Sequence, residues 1–500
     1  MKFDRTKMLL GGILIVAFLL RIYRVYDLTE FLGDQGRESI VLYNAWHTGT
    51  LPLIGPPVST GQHLGPVYYY LIAPFFFLAG FSPMGPIILM IILDTVTVLL
   101  LFRFNTKLFS RNTALIMSFL YATSPLIVQA SRTVWNPTPI PFFTTLLAIG
   151  LYDFVKNRKF NRLPLSLALL GVLVQLHYST LILIPLTVTL VVYAWVQYRK
   201  DRVELINNSI LGIVLFFVLI LPFLLHESQN DWQNIRSLAI FASSQSTTPL
   251  RTDLKDTMFV TQHLVNFIVP SLQPIASVGV LLLLGIVALA QKNKWAISAL
   301  LVTVVSIAFI AKSVYSPPEH YARFLMPFLF ILAALSMHTL GKINTFIPIL
   351  ATGILVMFAY VPRLDVLGEG KHDLSRTEDM VETIIQDADS EPFSFTLISS
   401  RSFSDLHYRF FFLRKSTEPV SVETGEFHKL YLICEKEPCP TVEELLSRSE
   451  LQVMCFDPLC TREYPKIDMS QWQFASMMKR ERGTLYIFTR HPGEMSKQVR

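Results

Sequence analysis

Long apolar runs recur in this sequence from Met8 to Val361, and almost every second gap between them carries lysine or arginine. About 20 apolar residues in a helix cross the hydrocarbon core of a bilayer, and a helix bonds all its backbone groups internally. A chain that repeats such runs is constrained to an α-helical polytopic membrane fold. Composition agrees: 52% of the 500 residues are hydrophobic and 16% charged, and the mean hydropathy is +0.45. These values exclude an ordinary soluble domain. The net charge of +6 lies largely in short loops, where it sets topology. It is no signal of nucleic-acid binding.

Charge also orders the spans. Lys2, Arg5 and Lys7 precede the first run, about 8–20, and place the N-terminus in the cytoplasm. That run ends in Leu19-Leu20-Arg21-Ile22 and not in small residues, so it is expected to stay as an anchor. Further spans are expected at about 84–102, 113–130, 138–155, 163–176, 178–197, 207–225, 273–291, 295–312, 324–340 and 344–361. Their cytoplasmic turns carry Arg103 and Lys107, then Lys156 to Arg162, then Arg199 to Arg202, then Lys292 and Lys294, then Lys342. This gives about eleven spans with the C-terminus outside, in a multi-pass protein of the plasma (inner) membrane. Residues 68–81 are apolar but short; the basic residues after 102 make them an interfacial or re-entrant segment. Arg21 and Arg24 fall outside on this topology and are expected to face lipid phosphates.

Two regions follow: a transmembrane domain, 1–361, with outer loops 24–83 and 226–271, and an extracytoplasmic α/β domain, 362–500. In the latter, helical periodicity over 377–389 puts Met380, Val381, Ile384 and Ile385 on one face. Strands are expected at 393–399, 429–434, 451–456 and 484–489, with helices at 405–414 and 441–447. No glycine-rich phosphate loop is present. Cys434, Cys439, Cys455 and Cys460 form two Cys-x4-Cys pairs. Outside the membrane these are expected to close as local disulfides. A four-cysteine zinc site and free thiols are the alternatives; zinc knuckles generally use Cys-x2-Cys spacing.

The outer loops gather the polar residues that could carry chemistry. Asp34 stands in Gly33-Asp34-Gln35-Gly36-Arg37-Glu38, just beyond the first span. His63-Leu64-Gly65-Pro66-Val67-Tyr68-Tyr69-Tyr70 follows. Arg132 and Asn136 lie in the next outer turn, His177 in the one after, and Glu227 opens the large loop. His320, Tyr321 and Arg323 precede the tenth span. Asp94 sits inside a span, where an acid is costly and generally paired, so a structural hydrogen bond is expected.

In their order and shared outer location these motifs resemble the GT-C glycosyltransferases that use polyprenyl-phosphate sugars, which include protein O-mannosyltransferases and the lipid A aminoarabinose transferase. The resemblance covers roughly residues 1–361. It rests on Asp34 before Leu51-Pro52-Leu53, the His63–Tyr70 motif, Ser124-Pro125 with Arg132, Leu221-Pro222-Phe223 before Glu227, and His320–Pro327. Asn136 stands where the family often has an aspartate, and asparagine cannot act as a base. The resemblance implies transfer of a sugar from a polyprenyl-phosphate donor to a lipid, glycan or protein acceptor at the outer face. Asp34 would be the general base of an inverting displacement. Arg37, His63, Tyr68, Tyr69, Arg132, Asn136, His177, Glu227, His320, Tyr321 and Arg323 would bind donor phosphate and substrate, with Lys312 a further candidate cation. No cofactor is certain and a divalent metal is left open. The alternatives are a lipid or polysaccharide transporter or flippase, which would line its path with intramembrane charges, and a non-catalytic envelope assembly protein.

Overall fold

A computed structural model describes residues 4–58, 61–247, 254–313, 316–368, 370, 372–399, 402, 404–421, 426–435, 438–448, 450–452, 466–480 and 483–490, with the side chains of 241–247 not described. Helices stand at every expected span. Asp4 caps the first, Arg5–Ile22, by accepting from the Thr6 amide, and Ser110 caps Arg111–Thr123 in the same way. Proline occupies the first turn of Pro125–Ala130, Leu163–Leu176, Pro274–Ala290 and Met326–Ile343, where its missing N–H costs nothing.

Among the described residues, six helices are long and apolar enough to cross a membrane: Met84–Leu108, Tyr178–Gln197, Arg199–Gln229, Lys294–Ser313, Glu319–Ile343 and Phe346–Leu367. The protein is a multi-pass membrane protein. Ile206, Ile210, Phe217 and Leu221 on the helix Arg202–Gln229 are exposed, as befits a lipid-facing surface. Other expected spans are shorter or interrupted. The span at 113–130 is two helices, because Pro125 cannot continue the ladder of the helix ending at Thr123. Val67–Leu78 is a short apolar helix.

The described chain divides into two compact units. The first holds Met1–Tyr23, Pro52–Leu78 and Gly85–Gly368. Its helix Arg202–Gln229 packs on Leu163–Leu176, which packs on Ile140–Lys156. Gly212 permits the first approach: a Cβ there would meet Leu167 Cδ1 at 2.6 Å. Two ion pairs, the first buried and the second partly exposed, join the helices. Arg21 Nε donates to Asp94 at 2.6 Å, and Tyr121 donates to the same carboxylate at 2.7 Å. Lys107 binds Asp153 at 2.8 Å. Arg21 is therefore not turned to lipid phosphates as its topological position suggested. It is fully buried, because the Asp94 carboxylate in the apolar interior requires a cation.

The second unit holds Arg24–Leu51, Ala79–Met84 and Glu369–Arg500. Strands β1 (Phe393–Ile398), β2 (Lys429–Cys434), β3 (Glu450–Gln452), β4 (Lys466–Asp468), β5 (Trp472–Arg480) and β6 (Gly483–Arg490) form two sheets. The larger has order β1-β2-β6-β5; β1 and β2 are parallel, joined through the helix Leu406–Arg414, and the other pairs are antiparallel. The helix Asp373–Ala388 buries Met380, Val381 and Ile384. The division departs from the boundary at 361/362. Arg24–Leu51, read from the sequence as a loop of the membrane domain, belongs to the α/β unit. Phe31 packs on Phe410 and Phe411 with ring centroids 6.0 and 5.6 Å away. The helix Gly33–Thr48 packs on Leu406–Arg414 through Gly36, where a Cβ would strike the His407 amide nitrogen. Cys434 and Cys439 are joined in a disulfide; Cys455 and Cys460 lie outside the described residues.

Candidate active site

In the second unit, Asp34 stands in the first turn of Gly33–Thr48. Anionic groups are favoured there by the unpaired amides and the helix dipole. Gly33 donates its amide to Ser402 Oγ at 3.2 Å, and its Cα meets Ser404 with no room for a side chain. The glycines of Gly33-Asp34-Gln35-Gly36 are thus packing contacts, while Asp34 between them points outward, its side chain half exposed. Arg37 forks between two carboxylates. Nη1 donates to Asp34 at 3.0 Å; Nε and Nη2 donate to the buried Glu38 at 3.1 and 2.5 Å. Glu38 anchors the guanidinium, and the Asp34 side chain stays half exposed.

In the first unit, the turns at 131–139, 177–182 and 319–325 bring polar and aromatic groups together. Asn136 donates to the Leu176 carbonyl at 2.7 Å and ties the end of one helix to the turn bearing His177. His177 Nδ1 accepts from the Ser179 amide at 3.1 Å. Its ring lies 4.5 Å from that of Tyr321 and 5.2 Å from that of His320. Burial first, then the nearby Arg323 charge, lower the His177 pKa to about 4, so the imidazole is neutral. His320 also packs on Trp135 at 4.4 Å, and the Arg323 guanidinium lies 6.0 Å from the Trp135 ring. Arg323 is buried, yet its polar contacts are long: 3.5 Å to Thr138 Oγ1 and 3.7 Å to Glu319, with no partner for Nε. A buried guanidinium held so loosely, walled by neutral and aromatic rings, is suited to receive an anion. Trp135 and Thr138 were not singled out in the sequence. Both flank Asn136, so closeness in sequence to a chosen residue was the only signal available.

Other residues expected at the site are bonded within the protein. Glu227 is fully buried and accepts from Asn234 at 2.6 Å and from the Ile235 amide at 3.0 Å. Asn234 in turn accepts from the His63 amide at 2.8 Å, and Tyr178 donates to the His63 carbonyl at 2.5 Å. The His63 ring reaches Gly55 O at 3.0 Å. This chain of bonds fixes the loop that leads to Val67–Leu78, in which Tyr68 and Tyr69 are buried side by side. Arg132 is buried among backbone carbonyls: Leu20 O at 2.5 Å, Val366 O at 2.9 Å and Arg21 O at 3.2 Å. Its guanidinium is bound by the protein itself and does not join the Arg323 group.

Among the described residues, no group of three His, Cys, Asp or Glu side chains is placed to hold a metal ion. Asn136, at the position where a carboxylate would serve, spends its amide on a helix end. Among the described residues these donors do not fit a divalent metal.

The fold is that of the GT-C membrane glycosyltransferases, as the order of sequence motifs implied. ArnT from Cupriavidus metallidurans bound to undecaprenyl phosphate shares it with a TM-score of 0.58 and 12% identity, over 97% of this chain and 98% of that one. Its apo state gives 0.57 and 11%, over 96% and 97%. The Archaeoglobus fulgidus oligosaccharyltransferase in complex with Zn and sulfate gives 0.51 and 12%, over 85% of this chain and 68% of that one. Residues 63–226 match the family model described as dolichyl-phosphate-mannose-protein mannosyltransferase. That segment contains Tyr68, Tyr69, Arg132, Asn136 and His177; Asp34, Glu227 and the 319–325 turn lie beyond it. No curated protein matches the sequence.

Proposed function

We propose that this protein is a membrane glycosyltransferase that moves a sugar from a polyprenyl-phosphate donor to an acceptor hydroxyl at the outer face of the membrane. The reading is carried by the loosely bonded, buried Arg323 with its wall of Trp135, His177, His320 and Tyr321. It is supported by a fold shared with an ArnT bound to undecaprenyl phosphate and by the matched mannosyltransferase segment. Arg323 takes the phosphate of the donor. Asp34 accepts the proton of the acceptor hydroxyl. The acceptor oxygen forms the new bond to the anomeric carbon while the bond from that carbon to the phosphate oxygen breaks. Polyprenyl phosphate departs with the electron pair, and its charge is met by the guanidinium. A single displacement inverts the anomeric centre. Arg37, pinned on Glu38, keeps a cation beside Asp34 throughout.

The test is turnover by purified protein in nanodiscs of labelled undecaprenyl-phosphate sugars offered with lipid, glycan and peptide acceptors. Asp34→Asn preserves shape and removes basicity; its rate should fall by about 10²–10⁴ with unchanged yield of folded protein. Near-parental turnover in Asp34→Asn removes Asp34 from the chemistry. Movement of the intact lipid-linked sugar across the bilayer without transfer would favour the flippase reading.

A further inference from the structure

The chain leaves the first unit after Tyr23, to begin the stretch bearing Asp34, and leaves it again after Gly368, to begin the α/β fold. Both departures lead back to one side chain. Arg132 Nη2 and Nε bind the carbonyls of Leu20 and Arg21 in the last turn of Arg5–Ile22. Its Nη1 binds the carbonyl of Val366 in the last turn of Val361–Leu367. The final carbonyls of a helix have no partner within it and carry partial negative charge. A guanidinium, with N–H groups aimed in several fixed directions, can serve two helix ends at once where an ammonium could not hold both in place. Arg21, whose carbonyl Arg132 takes, is itself bound through its side chain to Asp94 and to the Ala122 carbonyl. The grip therefore extends into the helices Met84–Leu108 and Arg111–Thr123.

We propose that Arg132 is a positioning residue that clasps both helix ends from which the chain departs toward Asp34 and toward the α/β fold. It acts through backbone and touches no substrate. Its effect on turnover rests on the glycosyltransferase reading; the clasp itself does not, and can be measured in protein with no activity.

Hydrogen–deuterium exchange of the full-length protein in nanodiscs tests it. The Tyr23 amide, bonded to Leu19 O at 3.0 Å, and the Gly368 amide, bonded to Asp365 O at 2.9 Å, report the two ends. In the parent protein they should open together, with matching protection. In Arg132→Gln both should lose protection by about tenfold or more, while the Ser277 amide of Pro274–Ala290 stays unchanged. Turnover should fall about tenfold with donor KM within about twofold, the mark of lost positioning and not of lost donor binding. Loss of protection at one end alone, or at neither, overturns the proposal. So does a raised donor KM with unchanged exchange, which would put Arg132 on the phosphate. Should Arg132→Gln not fold, Arg132→Lys is read by the same criteria, and unequal opening of Tyr23 and Gly368 in the parent is by itself enough to reject the clasp. An inactive parent protein would defeat the transferase reading and leave the exchange result standing.

Discussion

Arg21 with Arg132, and Arg323, are all buried arginines of the first unit, yet their surroundings differ in kind. Arg21 has a carboxylate at 2.6 Å and two backbone carbonyls at 2.9 Å. Arg132 has carbonyls on three of its N–H groups. Arg323 has Thr138 at 3.5 Å, Glu319 at 3.7 Å and a bare Nε. Burial of a charge is costly unless it is paired. The first two repay most of that cost within the folded chain; the third is held only by longer contacts, as our proposal of a negative group from outside requires. Residue type and depth do not separate a structural cation from a binding one. The identity and distance of its partners do.

The sharpest break in this comparison comes from the structural side. Asp94→Ala leaves Arg21 buried without its carboxylate and should cost about 3–5 kcal/mol. Unfolding in a denaturing detergent titration would show it as an early midpoint. A parental midpoint would mean that Arg21 finds other partners and that the buried knot is dispensable. Next in size, Arg323→Ala should fold as the parent does and lose about 10²–10³ in turnover, roughly 2.7–4 kcal/mol of transition-state stabilisation. Unfolding of this variant without a specific rate effect would class Arg323 with Arg21.

His177 supplies a pH signature of comparable size. Its folded pKa is lowered to about 4 from 6.5, by burial first and by Arg323 second. Between those values the unfolded chain holds a proton that the folded chain does not. Stability should therefore fall as pH drops from about 6.5 to 4, by roughly 3 kcal/mol in full. Melting temperature against pH measures it, and His177→Gln should flatten that limb; an unchanged slope would assign the acid sensitivity elsewhere. The smallest effect is expected for Arg323→Lys. It keeps the charge and loses the fork, and donor use should weaken about tenfold. Kinetics equal to the parent would reduce Arg323 to a simple interface anchor.

Much of the fold was legible in the sequence because its signals are local. Hydrophobic length marked the helices, and period placed Met380, Val381 and Ile384 on the buried face of Asp373–Ala388. The strand at 429–434 coincides with β2. Strand β5 was missed: Gln473 to Met477 are exposed and show no alternation to read. The grouping of Arg24–Leu51 with the α/β fold was missed as well. It depends on Phe31 meeting Phe410 and Phe411 and on Gly36 admitting His407, contacts between residues far apart in the chain.

The candidate site divides in the same way. The sequence by itself determined that this is a multi-pass membrane protein. It also placed Asp34, His177, His320, Tyr321 and Arg323 outside the long apolar runs, since composition and charge alone decide which segments can enter lipid. Only the tertiary structure decided which of the chosen polar residues remain available. Arg132, His63, Asn136 and Glu227 have the same chemical types as functional groups. Each side chain bonds a group of the protein itself within about 3 Å, the reach of a hydrogen bond: Arg132 and Asn136 reach carbonyls far along the chain, His63 and Glu227 reach groups seven or eight residues away. Where only longer contacts arrive, as at Arg323, the unmet bonding capacity of the side chain is what supports placing the donor phosphate there.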